Sequence, residues 1–404
     1  MKQKVKYFIV WGWLAFALFF RFYEGKVHYI NATMFAFSYK YGFVSRGFIG
    51  TVYACVHKIL PGDGLSYASV LHFNQVITAI FFMELAAFVV LMLQKNKENM
   101  QKYMFYILVF YTMFCIPFFS SHYNFGRLDL YCLMFSLLAA MTIICDKYIG
   151  LCIPLSVMGV MVHQGYVFMY FNIILVLLLY RVFTKDGKRK RQYIRVLAIS
   201  FVLASVLFMY FELFSHFNGD SIYDEIISKA TLLCQDGKIH QDVIDHEILG
   251  VDLTKKEIPY HLMNVVQFPI FILLMIPIIK VFISVFRTYI GRATTKKAKF
   301  QCFCIAAGAL TMLPDLLLKV DFGRWMFAII SYYIVVVLGL LAIGDCGMEQ
   351  SVAEEFDKIR QKNALLGPVL MLYPMIFQPL MDVSICEVTA YLGGLLNSRL
   401  LHWW

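Results

Sequence analysis

Residues 321–343 read DFGRWMFAIISYYIVVVLGLLAI, and this stretch decides which class of fold the chain adopts. From Trp325 to Ile343 it contains no charged side chain. Its length is close to the roughly 20 apolar residues that a helix needs to cross a bilayer. Arg324 stands directly before the apolar run. The stretch therefore predicts a transmembrane helix that carries an arginine at one end.

The composition of the whole chain agrees with a membrane protein. Of its 404 residues, 60% are hydrophobic and 15% are charged, and the mean hydropathy is +0.69. Soluble domains average about half apolar and about a quarter charged residues. The apolar runs do not alternate with polar residues, so they predict helices rather than the strands of a transmembrane barrel. The predicted fold class is all-α, a polytopic membrane protein with about 11 transmembrane helices.

Apolar runs of suitable length recur along the chain and define the predicted spans. They lie near residues 7–23, 70–93, 103–120, 128–145, 149–164, 166–182, 194–214, 266–286, 300–318, 325–343 and 364–382. The stretch 149–182 allows two interpretations, a tight hairpin around His163-Gln164-Gly165 or a tilted, broken helix. Together the spans form a single transmembrane domain over residues 1–404.

The net charge of +10 comes mainly from basic residues in short loops between the spans. Short cytoplasmic loops of membrane proteins are enriched in Lys and Arg. With a cytoplasmic N-terminus, alternation of the spans places these basic loops inside and the C-terminus outside. The charge is therefore a topology signal, and we expect no nucleic-acid partner.

Two predicted outer segments are too long to be simple connections. Residues 24–69 mix aromatic and scattered polar residues, which predicts an outer interfacial loop with helices lying along the membrane surface. Residues 215–265 are the most polar part of the chain and predict a small helical outer polar cap after the seventh span.

Three arginines lie beside spans on the side away from the cytoplasm, where the positive-inside bias disfavours them. Arg46, Arg127 and Arg324 each stand in a setting of glycine and aromatic residues. Arginine can hold phosphate oxygens in a bidentate fork, and glycine allows close backbone approach. We expect these arginines to bind an anionic ligand, with Lys319 as a further cation. For Arg46, extension of the side chain to the membrane interface is an equal alternative.

The stretch from Ser121 to Asp129 crowds polar side chains at the outer end of a span. Asp129 is expected at membrane depth, where a carboxylate must be paired or used. The alternative is a local bridge between Arg127 and Asp129. Residues two apart on a helix do not face each other, so this bridge needs a turn or a partner from another helix. His122 is expected to support the site.

Three further candidates lie near the same outer face. His163, followed by Gln164, interrupts an apolar stretch and suits proton transfer or donation to a phosphate. Asp321 is three residues before Arg324, so the two can bridge on one helix face. Glu24 follows the first span and suits deprotonation of an acceptor hydroxyl. The structural alternatives are a buried histidine bonded to a carbonyl and an ordinary interfacial glutamate.

The sequence shows no P-loop, GxSxG, HExxH or dinucleotide-binding motif in a suitable context. It contains ten cysteines but no CxxC, and no metal-ligand cluster stands out. We therefore expect no metal site and no certain cofactor, and a divalent cation bridging pyrophosphate to an acidic side chain stays an alternative. An activated donor would have to arrive on a lipid.

These features resemble bacterial enzymes that act on polyprenyl-linked sugars outside the cytoplasmic membrane. The layout is similar to that of GT-C glycosyltransferases, which have an internal N-terminus, a long first outer loop, and often a second large loop after span 7. The resemblance implies a catalytic carboxylate soon after the first span, here Glu24. It covers most of the chain as topology.

Wzy/EpsG-like polysaccharide polymerases are the competing resemblance. They have many spans, depend on outer arginines, and often carry an arginine–aspartate element and a histidine near outer span ends. Arg127, Asp129, His163 and Arg324 would fill these roles.

The predicted function is glycosyl transfer from a polyprenyl-(pyro)phosphate-linked donor at the extracytoplasmic face, in assembly of exopolysaccharide or another cell-envelope glycan. Arg46, Arg127 and Arg324 would hold the phosphate, and Glu24, Asp129 or His163 would accept the proton of the acceptor glycan. Partners would be the lipid-linked sugar, the acceptor and the bilayer. The non-enzymatic alternative is a transporter or flippase of an anionic lipid-linked substrate.

Overall fold

We analysed a computed structural model of the chain. It describes the backbone of residues 26–60, 64–96, 98–116, 118, 124–214, 220–249, 254–313, 322–363 and 365–376. Every regular element in this part of the chain is a helix. The all-α fold class is therefore confirmed over the described residues.

The α-helices follow one another with short connections. They are α1 Tyr29–Met34, α2 Gly47–Val56, α3 Tyr67–Lys95, α4 Glu98–Cys115, α5 Leu128–Cys145, α6 Cys152–Val162, α7 Tyr166–Met169, α8 Phe171–Thr184, α9 Gly187–Phe214, α10 Asp220–Leu233, α11 Gln241–Leu249, α12 Thr254–Arg292, α13 Lys296–Ala307, α14 Phe322–Ile343, α15 Cys346–Lys362 and α16 Leu366–Ile376. Short 3-10 turns at Tyr39–Tyr41, His57–Ile59, Ile149–Leu151, Gln235–Gly237 and Gly308–Met312 complete the described elements.

Five described helical segments are long and apolar enough to cross a bilayer. They are Tyr67–Lys95, Leu128–Cys145, Gly187–Phe214, Ile272–Arg292 and Gly323–Ile343. The chain is therefore a multi-pass membrane protein. In an 18-residue window of α14, 83% of the residues are buried, whereas in the corresponding window of α9 only 22% are buried. Helix α14 therefore lies at the centre of the bundle, and α9 lies on its apolar outside.

Residues 149–182 form the hairpin rather than a single broken helix. Helix α6 ends at Val162, the backbone of His163 is extended, and the chain turns through Gly165 into α7 and α8. Ring atoms of Tyr166 come so close to Gly159 that an added Cβ would meet them at 2.4 Å. This close approach explains how two short helices pack tightly at the turn.

At the opposite end of the bundle, carboxylates tie neighbouring helices together. Asp146 follows α5 and accepts hydrogen bonds from Lys185 Nζ at 2.6 Å and Tyr193 Oη at 2.9 Å. Asp345 caps the N-terminus of α15 and accepts hydrogen bonds from Tyr180 and Tyr289. We call this end of the bundle the Asp146 end.

The predicted outer loop 24–69 contains α1 and α2, and the predicted cap 215–265 contains α10 and α11. Residues 254–265 belong to the long helix α12, which continues into the span Ile272–Arg292. Cap and loop pack on each other through named contacts. Lys229 Nζ donates to the Ala36 carbonyl at 3.1 Å, and the His240 amide donates to Thr33 Oγ1 at 3.0 Å.

Candidate functional site

The centre of the candidate site is an ion cluster around Asp129, in the first turn of α5. Arg127 Nε lies 3.0 Å from Asp129 Oδ2, and Arg324 Nη2 lies 3.0 Å from Asp129 Oδ1. Asp129 is 1% exposed, and the two arginines are 11% and 12% exposed. Two guanidinium groups from distant parts of the sequence therefore share one buried carboxylate.

The local backbone explains how Arg127 reaches Asp129. Arg127 precedes α5 with an extended conformation, φ −72° and ψ 144°, so its side chain can fold back over the first helical turn. Its Nη1 also donates to Asn124 Oδ1 at 3.2 Å. Gly126, with a φ of 81°, makes the turn and packs against the side chain of Asn74. The local bridge foreseen from the sequence exists, and it includes a second arginine from α14.

His163 lies in the hairpin turn and interacts electrostatically with Arg46, Arg127, Arg324 and Asp129. Its Nδ1 lies 2.9 Å from the Gly165 amide nitrogen. A backbone N–H can only donate, so Nδ1 is the acceptor and the ring proton of neutral His163 is on Nε2. The remaining nitrogen of His163 therefore faces its surroundings as a hydrogen-bond donor.

Gln164 and Arg46 connect the hairpin to the outer segments. Ser45 Oγ hydrogen-bonds to Gln164 Oε1. The next residue, Arg46, has a left-handed backbone with a φ of 63° at the start of α2. Its Nη1 lies 3.3 Å from Oε1 of Glu247, a residue of α11 that is 7% exposed. The outer segment, the cap and the hairpin thus meet at Arg46.

Several polar atoms around this cluster are buried without a hydrogen-bond partner among the described residues. They include Arg46 Nε and Trp325 Nε1, which can only donate, and the hydroxyls of Tyr131 and Tyr170. Tyr170 interacts electrostatically with Asp129 and Arg324. Buried polar groups normally have a partner in the protein, in water or in a ligand. Arg46 Nε and Trp325 Nε1 are therefore buried donors without an acceptor among the described residues, and Asp129 Oδ2 makes an ion pair with Arg127 but no hydrogen bond.

Of the residues predicted from sequence, the structure brings Arg127, Asp129 and Arg324 into direct contact. His163 and Arg46 lie within electrostatic range of one another, and Gln164 touches the residue before Arg46. The remaining predicted site residues lie outside the described residues: Glu24, His122, Lys319 and Asp321.

Sequence reasoning missed Glu247, Trp325 and Tyr170 as members of the site. Glu247 is one of many acidic residues in the polar cap, and its neighbours in the sequence do not distinguish it from the other acidic residues. Trp325 and Tyr170 read as ordinary apolar span residues, although Trp325 directly follows Arg324. Only the structure shows that Trp325 Nε1 is a buried donor without an acceptor among the described residues.

The described residues contain no group of three or more His, Cys, Asp or Glu side chains that could hold a metal ion. Asp129 has ion-pair contacts on both oxygens, so it serves the cluster as a fixed anion. The buried donors on Arg46 and Trp325 that lack a described acceptor are suited to an anionic group.

Comparisons with protein-family models, with curated proteins and with solved structures found no match to this chain.

Proposed function

We propose that this protein is a membrane-embedded glycosyltransferase that uses a polyprenyl-(pyro)phosphate-linked donor at the extracytoplasmic face of the bacterial cytoplasmic membrane. In this proposal the chain has about 11 spans, and its N-terminus is cytoplasmic. The product is a cell-envelope glycan or glycolipid.

One observation carries the proposal: Arg127 and Arg324 converge on one buried carboxylate, and Arg46 and Trp325 hold buried donors that have no acceptor among the described residues. The guanidinium groups come from three separate parts of the chain and interact with the same imidazole, that of His163. Arg46 Nε and Trp325 Nε1 add buried donors without an acceptor among the described residues. An anion with several oxygens is the ligand that satisfies such a set.

The site chemistry follows from where charge develops. As the acceptor oxygen forms a bond to the anomeric carbon, the bond from that carbon to the phosphate oxygen breaks. The phosphate keeps the electron pair, and the arginines stabilise its growing negative charge by roughly 3 kcal/mol for each well-placed donor. The His163 Nε2 proton is suited to the same oxygen.

The acceptor hydroxyl must lose its proton to a base. Protonation of Asp129 would leave two arginines facing each other without a shared anion, and the Nδ1 lone pair of His163 is occupied by Gly165 N–H. Of the three residues considered from the sequence, Glu24 is the proposed base, because it resembles the carboxylate that follows the first span in GT-C glycosyltransferases. This role comes from the GT-C resemblance alone.

A polysaccharide polymerase of the Wzy/EpsG-like type is the second candidate. The four residues that carry that resemblance, Arg127, Asp129, His163 and Arg324, form one cluster in the structure. The bond chemistry is the same, but the donor is the growing chain on its lipid.

A transporter or flippase is less consistent with the bundle. Hydrogen bonds to Asp146 and Asp345 tie neighbouring helices at the Asp146 end. The cationic cluster lies at the other end of α5 from Asp146. Charged groups confined to one end of a bundle favour transfer over transport, because a transport path for an anion needs polar groups toward the other end as well.

Binding of a short polyprenyl phosphate tests the proposal. Farnesyl phosphate would be titrated calorimetrically into the protein in lipid nanodiscs. We expect binding to the wild type, and at least tenfold weaker binding for Arg127→Gln and Arg324→Gln, because one charge-assisted contact contributes about 1.5–3 kcal/mol. Arg360→Gln, an exposed arginine of α15, is the matched control.

The same variants would be expressed in cells that depend on the protein for glycan synthesis. Equal binding by all variants, or normal glycan from both site variants at normal protein levels, would rule the proposal out.

A further inference from the structure

The Arg46–Glu247 contact joins the outer segment to the cap. Among the residues that the structure describes, neither side chain has another ion-pair partner. Glu247 is 7% exposed and Arg46 is 20% exposed, so the pair is largely shielded from water. A buried carboxylate is costly without a cation, and here Arg46 is that cation.

Arg46 is incompletely satisfied by this contact. Only Nη1 meets Glu247, while Nε is buried without a partner among the described residues. A left-handed backbone is unfavourable for a residue with a Cβ and persists where the surroundings hold it. The structure therefore holds the Arg46 guanidinium at this position with unused donor capacity.

The cap has independent contacts that hold α11 in place. Ile244 and Ile248 bury its apolar face, and Tyr223 Oη donates to Asp245 Oδ1 at 2.7 Å. Asp236 and Gly237, both with left-handed backbones, form the turn between α10 and α11. When Glu247 leaves Arg46, α11 loses one of its ties, while these contacts keep the cap folded.

We propose that Glu247 is a resident anion that occupies Arg46 until a phosphate group of the lipid-linked substrate displaces it. The described conformation is the closed, self-inhibited form of the site. This inference rests on the proposed function, because it assumes that the substrate anion binds at Arg46. Displacement exchanges one anion for another on the guanidinium, and the phosphate can use both Nη1 and Nε.

The test uses the intact protein in nanodiscs with farnesyl phosphate as the probe. Glu247→Gln keeps the shape of the side chain and removes its charge, so the competing anion is lost. We expect roughly three- to tenfold tighter binding, and a tenfold change corresponds to about 1.4 kcal/mol. Glu225→Gln is the matched control, since Glu225 lies in the same cap and pairs with Lys40. Its affinity should equal that of the wild type.

Hydrogen exchange gives a second measurement. Farnesyl phosphate should speed up amide exchange in residues 241–249 of the wild type, because α11 loses its tie to Arg46. In Glu247→Gln the same amides should exchange faster before the probe is added. Unchanged or weaker binding by Glu247→Gln, or slower exchange of 241–249 with the probe, would overturn the inference.

The two proposals fail in different ways. If the wild type binds farnesyl phosphate through Arg127 and Arg324 but Glu247→Gln changes nothing, only the self-inhibition is wrong. If the wild type does not bind the probe, both proposals are wrong.

Discussion

Arg324 donates from both Nε and Nη2 to a single oxygen of Asp129, at 3.3 and 3.0 Å, across 195 residues of sequence. Arg127 approaches the other oxygen of the same carboxylate. The first turns of α5 and α14 are therefore joined by a buried ion pair at the centre of the candidate site.

Breaking this pair should destabilise the protein. Arg324→Gln or Asp129→Asn leaves a buried charge with fewer partners, and each change should lower the unfolding free energy by about 3–5 kcal/mol. In the double variant the effects should be less than additive, because each single change already removes the contact. The unfolding free energies of the two single variants and the double variant would be measured by unfolding in mixed micelles with increasing dodecyl sulfate. Additive losses would show that the two side chains do not interact.

His163 should act through Nε2. Glutamine places an amide N–H near the position of Nε2, whereas asparagine places its amide oxygen near that of Nδ1. His163→Gln should therefore keep more transfer activity than His163→Asn, with a ratio of roughly ten or more. The glycan yields of the two variants at equal protein level measure this activity ratio. The opposite order would place the functional atom at Nδ1.

Acid should weaken the Asp146 end of the bundle. Burial by itself raises the pKa of Asp146, but hydrogen bonds from Lys185 and Tyr193 outweigh it and lower the pKa below its usual value. The stabilisation is therefore complete above the unfolded pKa of about 4 and is lost as pH falls through the lower folded value. Melting temperatures between pH 3 and 7 should fall less steeply toward acid for Asp146→Asn than for the wild type. Parallel curves would contradict this role.

Gly50 should be intolerant of any side chain. A Cβ there would lie 1.7 Å from the Phe37 carbonyl oxygen, which is backbone and cannot move aside. Gly50→Ala should lower stability by about 3 kcal/mol or prevent folding. Gly291 in α12 has nothing within 4 Å of an added Cβ, so Gly291→Ala should stabilise by up to about 1 kcal/mol. Equal melting temperatures for the two variants would disprove the close packing of α2.

The helical class and the longest spans could be predicted from the sequence because they depend on local properties. Residues 128–145 and 325–343 are apolar over the length of a span, and each coincides closely with a described helix. Arg324 directly precedes one of these runs, so the sequence also predicts an arginine at the end of that span. The cap boundary was harder, because residues 254–265 are polar and nevertheless begin α12.

The Arg127–Asp129 bridge was foreseen from the sequence, but the contacts between distant parts of the chain within the site were not. The sequence predicted Asp321, which lies outside the described residues, as a partner of Arg324, and it did not predict the contact of Arg324 with Asp129. The proton position on His163 depends on one amide of the hairpin turn, and no sequence pattern encodes it.

Hydrophobicity is a property of each residue and its neighbours, so the sequence by itself determined that the chain is a helical membrane protein with arginines at span ends. Only the tertiary structure decided which carboxylate each arginine meets, because Asp129 and Glu247 reach Arg324 and Arg46 by the packing of helices far apart in the chain. Ion pairing depends on distances of a few ångströms, and packing sets those distances.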